Sequence, residues 1–232
     1  MLPRLLSLGF MLSLFPGLAV AAAERPVVIE LFTSQGCSSC PPADAFLTDL
    51  SHNRPDVLPL AFHVTYWNDL GWKDPFSLDA ATQRQSRYGM RFGDGSYTPE
   101  IVVDGVKDLV GSDRVGVEAA IQQARQESQT AAPISIRQEG GQIFVQVAAG
   151  SGSGQVLLIG FDHERRTAVG RGENSGRMLI ESNIVRSIRP IGQWSGALLQ
   201  LSVPVPDGQE IAVILEAPDG RIVGASRLDG ST

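Results

Sequence analysis

Apolar positions follow one rhythm up to about residue 130 of this chain and another after it. Val27-Val28-Ile29-Glu30-Leu31-Phe32 is a nearly unbroken apolar run, the pattern of a strand buried on both faces. Ala43, Phe46, Leu47 and Leu50 then recur at helical spacing, Val57 to Val64 is apolar again, and Asp79 to Tyr88 reads as a second helix. Glu100-Ile101-Val102-Val103 and Asp108-Leu109-Val110 flank Asp104-Gly105, a type I′ turn dipeptide that marks a β-hairpin. Asp113 to Arg125 closes the region as a helix capped by Ser112 or Asp113. The predicted order is β-α-β-α-β-β-α.

The polar, small-residue stretch from Gln126 to Pro133 interrupts this, and Pro133 cannot continue a helix. Beyond it strand signals dominate: Ile134 to Ile136 and Ile143 to Val147 around Gly140-Gly141, then Val156 to Phe161, Leu198 to Val203, Ile211 to Leu215 and Arg221 to Val223. Short strands with turn signals and no helix predict a β-sandwich. The mixed alternation of the first half, ending in a hairpin and a helix, is the arrangement of the thioredoxin fold. The chain is therefore expected to carry an α/β thioredoxin-like domain at 24–128, a linker at 129–133 and an all-β, sandwich-like accessory domain at 134–232.

The leading segment 1–23 stands apart. One basic residue, Arg4, precedes an apolar stretch from Leu5 to Val20 and the small residues Ala21-Ala22-Ala23, which reads as a secretory signal cut before Glu24. Gly9, Pro16 and Gly17 interrupt the apolar run, which argues against a membrane anchor. Export to the periplasm or the medium is expected, with no membrane association of the mature form. Losing Arg4 takes the formal charge from −6 to −7, a balance that disfavours nucleic acid and anionic lipid as partners.

The chain has two cysteines, Cys37 and Cys40, in the segment Gly36-Cys37-Ser38-Ser39-Cys40 directly after the first predicted strand. A cysteine at a helix N-terminus faces unpaired backbone N–H groups and the positive end of the helix dipole, which favour thiolate over thiol. Gly36 leaves room for a partner's backbone, and the two-residue spacing lets Cys40 attack a mixed disulfide on Cys37 and release the partner. Cys37, ahead of the helix, is expected to be exposed and attacking, with Cys40 resolving. A structural disulfide is the first alternative, although closing so small a ring restrains the unfolded chain by only about 2 kcal/mol, against about 4.7 for a ring of 100 residues. The second is soft metal: two thiolates suit Cu(I), whereas a closed zinc site needs four ligands and the histidines are His52, His63 and His163. Pro41 disfavours helical geometry at Cys40, so the helix is expected to begin at Pro41 or Pro42 with Cys40 at its cap. Asp44 suits the dipole but opposes thiolate formation if its carboxylate lies near the sulfurs.

Glu30 through Asp44, Phe62-His63-Val64 with Tyr66-Trp67, Leu70 through Phe76, Tyr97-Thr98-Pro99 and Gly170 through Asn174 together resemble the secreted, thioredoxin-like family called domain of unknown function 1223. The likeness covers nearly all of the mature chain. It implies the thioredoxin fold and a thiol–disulfide activity, without naming a substrate. It also implies a cis bond before Pro99, with the backbone of Thr98 opposite the dithiol where a bound peptide pairs. Thr65, Asn68 and Glu100 depart from the family pattern, which expects acidic residues beside the Tyr-Trp pair and an amide after Pro99.

Other candidates have two readings. His63 is a proton acceptor near the dithiol or a hydrogen-bonded structural residue. Tyr66, Trp67, Trp72 and Phe76 wall a groove or fill the core; core is expected for most of them, with Trp67 on a rim. Arg171, Glu173 and Asn174, between glycines, form a solvated loop or a contact between domains. The expectation is an exported thiol–disulfide oxidoreductase with Cys37 and Cys40 catalytic and Gly36, Thr98, Pro99 and Trp67 binding substrate. No cofactor or resident metal is expected, and its partners are exported protein thiols or disulfides and a redox partner. A periplasmic copper-binding protein or a protein-interaction module is the alternative.

Overall fold

The computed structural model describes residues 25–127 and 132–228; the expected leader and most of the expected linker lie outside them. β1 (Val27–Thr33) and β2 (Val57–His63) are buried at every position, as strands covered on both faces must be. They run parallel, with Val27 beside Val57 and Thr33 beside His63. β3 (Glu100–Val103) joins β1 antiparallel, and β4 (Lys107–Val110) joins β3. Asp104 and Gly105 turn between them at φ +47° and +64°, and the Val106 N–H closes onto the Val103 carbonyl at 2.8 Å.

Alternate side chains of β1 point into two different cores. Val27, Ile29 and Leu31 meet Phe46, Leu47 and Leu50 of α1 (Pro41–Asn53) and Val117 and Ile121 of α3 (Arg114–Glu127). Val28 and Phe32 meet Ala81 and Tyr88 of α2 (Asp79–Phe92). The element order predicted for the first half is thus the order observed.

The second half is all β among the described residues, with β5 (Ile134–Glu139), β6 (Gln142–Val147), β7 (Gly154–Ala168), β8 (Met178–Trp194), β9 (Leu199–Pro204), β10 (Glu210–Glu216) and β11 (Ile222–Arg227). Its strands pack in two layers, but one of those layers is shared with the first half. Four of them extend the sheet of the first half into eight strands, ordered β11-β10-β7-β8-β2-β1-β3-β4, and only β5, β6 and β9 form a separate sheet. That small sheet packs Ile143, Val145 and Val147 against Val156, Leu158, Val213 and Leu215 of the large one, around the buried Trp194.

The join is β8 running parallel to β2, with Ala61 beside Ile184. Asn183, at φ +50°, donates through Nδ2 to the Pro59 carbonyl at 2.8 Å and accepts from Ser51 Oγ at 3.2 Å. The core under α2 accordingly includes Leu157, Ile159, Phe161 and Ile214 from the second half. Buried Arg84 adds a polar tie: Nε meets Glu30 of β1 at 2.5 Å, Nη1 meets Glu216 of β10 at 2.6 Å, and Nη2 donates to the Tyr88 hydroxyl at 3.0 Å. The change of rhythm near residue 130 is a boundary in sequence, while sheet and core run through it.

Candidate functional site

Between β1 and α1 the chain turns through Ser34-Gln35-Gly36, and Cys37 and Cys40 are joined in a disulfide. The Cys37 N–H donates to the Ser34 carbonyl at 3.1 Å and the Cys40 N–H to the Cys37 carbonyl at 3.3 Å, winding a turn into the helix. α1 begins at Pro41 with Cys40 as its cap, as expected. Cys40 itself is helical (φ −77°, ψ −37°), against the usual effect of a following proline, because its carbonyl already takes the N–H groups of Ala43 and Asp44. The exposure expected of Cys37 is corrected: both cysteines are 0 % exposed, while Ser38 and Ser39 between them are open to solvent. The Ser39 hydroxyl lies 3.3 Å from Cys37 Sγ.

Asp44 is four residues after Cys40 on the same helical face, where Cβ atoms stand about 5–6 Å apart. It is buried and accepts from Thr33 Oγ1 at 2.7 Å. Burial, and then the nearby Glu181, push its carboxyl up to about 8. It is therefore mostly neutral at pH 7, and the charge repulsion expected between Asp44 and a thiolate does not operate there.

Asp44 belongs to a cluster. His63 ends β2 wholly buried, with Nδ1 2.7 Å from Asp74 Oδ2 and Nε2 3.9 Å from Glu181 Oε1; neither Nε2 nor that oxygen has a hydrogen-bond partner. Burial depresses the imidazole, but Asp74 and Glu181 outweigh it and push it up to about 9. Burial alone would raise Asp74, yet the His63 charge and hydrogen bond hold it low. Glu181 is raised by burial despite His63. Three carboxyls and one imidazole thus meet out of water, where each one's proton affinity is moved by burial and by the charge of its neighbours.

Gln35 connects this cluster to the cysteine loop. Its N–H donates to Asp74 Oδ2 at 2.8 Å, its Nε2 to Glu181 Oε2 at 2.6 Å, and its Oε1 accepts from Trp72 Nε1 at 3.1 Å. From the second half, Asn174 Nδ2 donates to the carbonyls of Gln35 (3.0 Å) and Cys37 (2.8 Å), and Glu173 accepts the Ser38 N–H at 3.0 Å. The Arg171 to Asn174 segment is a contact between the two halves, placed on the cysteines.

The other expected site residues converge. A Cβ at Gly36 would stand 3.2 Å from the Cβ of Trp67, and Trp67 Nε1 donates to Thr98 Oγ1 at 2.9 Å. The Thr98–Pro99 bond is cis. Tyr66, Trp72 and Phe76 are not the core residues expected: Tyr66 is 40 % exposed, Trp72 and Phe76 are half-buried, and Phe76 meets the His63 ring edge-on at 5.6 Å. Glu100, the departure after Pro99, is buried and pushed up to about 7 by burial, against the bond it accepts from Gln85 Nε2 at 2.7 Å. Gln35 and Asp74 lie inside segments that carry the family resemblance but were given no role from the sequence, and Glu181 was not singled out. The available signal was Glu181 alternating with Leu179 and Asn183 on the buried side of a strand, but that strand was itself unrecognised.

Fold and site define a mixed α/β protein, with an eight-stranded and a three-stranded sheet, that carries a buried Cys-x-x-Cys disulfide above a cluster of ionisable side chains. The chain belongs to the family described as Protein of unknown function (DUF1223), which matches residues 28–216. It is similar to the crystal structure of protein AGR_C_4864 from Agrobacterium tumefaciens, with 31% identity over 91% of this chain and 97% of that one and a TM-score of 0.78. HBP35 of Porphyromonas gingivalis shares the fold at 11% identity and a TM-score of 0.58, over 88% of this chain and 75% of that chain. Comparison with curated proteins found no match.

Proposed function

We propose that this chain is an exported thiol–disulfide oxidoreductase whose first half is a thioredoxin-like catalytic unit. The observation that carries the proposal is the Cys37–Cys40 disulfide at the start of α1 with the buried Asp44 carboxyl one turn below it, hydrogen-bonded to Thr33 and pushed up to about 8 by that burial. A structural staple has no use for a titrating acid beneath it; a leaving thiolate does.

Starting from the disulfide, a client thiolate attacks Cys37 Sγ, a client–Cys37 bond forms, and the Cys37–Cys40 bond breaks. Cys40 departs as thiolate and takes the proton that Asp44 holds. A second client thiolate attacks the client sulfur, Cys37 leaves, and the client holds a new disulfide. Two electrons pass from the client dithiol to the cysteine pair. The reverse sequence reduces a client disulfide.

Cys37 is assigned as the attacked sulfur by position: it lies beside the exposed Ser38 and Ser39, while Cys40 lies at the helix cap over Asp44. Trp67 and Thr98, half-buried and joined by a hydrogen bond, are the surface against which the client lies, with Gly36 and Pro99 buried behind them. Cys40→Ser, expressed in an exporting cell, should accumulate mixed disulfides with exported proteins, and Cys37→Ser few or none; mass spectrometry of non-reducing complexes reads this out. If neither variant traps a partner and the purified chain exchanges with no test disulfide, the proposal fails and Cu(I) binding by the two thiolates takes its place.

A further inference from the structure

The groups that the 169–177 turn offers the cysteine loop are those a bound polypeptide would offer. Asn174 is wholly buried, and its amide N–H₂ spans two backbone carbonyls, Gln35 and Cys37. Arg177 Nη1 holds Asn174 Oδ1 at 3.0 Å, which keeps the donor side of the amide turned toward them. One residue earlier, a Glu173 oxygen takes the Ser38 N–H. An amide donor and an oxygen acceptor on adjacent residues reproduce the hydrogen-bonding capacity of an extended backbone.

The turn is built as a separate piece. It is the tip of the long β7–β8 hairpin, closed by Val169 N–H to Arg177 O at 2.9 Å and Gly176 N–H to Val169 O at 2.8 Å. Gly172 and Gly176 take φ +76° and +80°, and a Cβ at Gly172 would lie 3.2 Å from the Cβ of Trp72. Arg171, Gly172, Glu173, Ser175 and Gly176 are exposed, so Asn174, with Val169 at the base of the turn, anchors the tip. The cysteines beneath it have no exposed surface, although the proposed exchange requires a client sulfur to reach Cys37.

We propose that the 169–177 turn is an internal occupant of the client site. The Gln35 and Cys37 carbonyls and the Ser38 N–H are where an extended client polypeptide binds beside the disulfide, and Asn174 and Glu173 hold those positions until a client displaces them. Client N–H groups replace Asn174 Nδ2, and a client carbonyl replaces the Glu173 carboxylate. The inference rests on the exchange activity proposed above, but its test needs no exchange with a protein.

The full mature chain is compared with Asn174→Ala, Asn174→Asp and Glu173→Ala. Asn174→Asp keeps the size of the side chain and removes its donors, and Glu173→Ala alters an exposed side chain, so it folds regardless. The first measurement is the rate at which dithiothreitol reduces the Cys37–Cys40 disulfide. Loss of two neutral hydrogen bonds should speed reduction about tenfold in both Asn174 variants, and loss of the Ser38 bond about threefold in Glu173→Ala. The second is affinity for reduced, carboxymethylated ribonuclease, an unfolded polypeptide without thiols, which should tighten about tenfold in Asn174→Ala. Reduction rates within twofold of the parent in all three variants, or unchanged affinity for the unfolded chain, overturn the proposal. Trapping by Cys40→Ser decides the exchange activity separately.

Discussion

Asp44→Asn keeps the size of the side chain beneath Cys40 and removes its acidic proton. With the carboxyl at about 8, roughly nine-tenths of the molecules hold that proton at pH 7 and roughly one-tenth at pH 9. Positioned general acids contribute about 10²–10⁴ in rate, and a departing thiolate, being a weak base, draws on the low end of that range. The substitution should therefore slow reduction of the Cys37–Cys40 disulfide at pH 7 by about 10², equivalent to about 2.7 kcal/mol. The assay is single-turnover reduction by a small dithiol between pH 6 and 10, at constant concentration of the attacking thiolate, followed by tryptophan fluorescence. The parent rate should fall as pH rises through about 8, and the Asp44→Asn variant should be slow and flat. Glu181, His63 and Asp74 are the charged groups acting on Asp44, and Glu181 is the largest of them, so Glu181→Gln should move the break to lower pH. An Asp44→Asn rate within threefold of the parent at pH 7, or a break still near 8, refutes the role given to Asp44.

Arg84→Met leaves Glu30 as a buried charge without its cation and should destabilise the fold by about 3–5 kcal/mol in urea titration, largely recovered by adding Glu30→Leu; a loss below about 1 kcal/mol would discount the network. Residues 24–128 alone, expected from the sequence to fold independently, would lose β8 from the β2 edge and Leu157, Ile159, Phe161 and Ile214 from the core under α2, each worth about 1.5–3 kcal/mol of burial. The fragment should bind a hydrophobic dye and aggregate, and a monodisperse, cooperatively unfolding fragment would show the first half to be self-sufficient. Stability should also fall from mildly acid to alkaline pH. His63, raised from 6.5 to about 9, contributes stability that is full below about pH 6.5 and lost as pH rises through 9. Asp44 keeps its proton to about 8 in the fold but only to 3.8 when unfolded, so its cost grows over that interval. Thermal melts from pH 5 to 9.5 should show a declining midpoint, and a rising one would contradict the charge assignment of the cluster.

What the sequence determined by itself was local. Val27 to Phe32, the helical spacing of Ala43 to Leu50, the Asp104-Gly105 turn and the Pro41 helix start follow from side-chain periodicity, backbone φ preferences and a missing N–H, all of which act within a few residues. The cysteine pair, and its place between a strand and a helix, were legible for the same reason. Tertiary structure decided everything that depends on residues far apart in the chain. β8 was hidden because Glu181, Arg186, Arg189 and Pro190 break the alternation that marks a strand; its pairing with β2 and its inward-facing Glu181 are satisfied by Gln35 and Pro59, more than 100 positions away. Burial of Cys37 was equally out of reach, since Asn174 lies 137 residues further along. Nor could composition disclose that burial and Glu181 raise the proton affinity of Asp44. A carboxyl's proton affinity is set by the water it loses and the charges it gains, and here those charges arrive from β2, from the loop carrying Asp74 and from β8, assembled only when the chain folds.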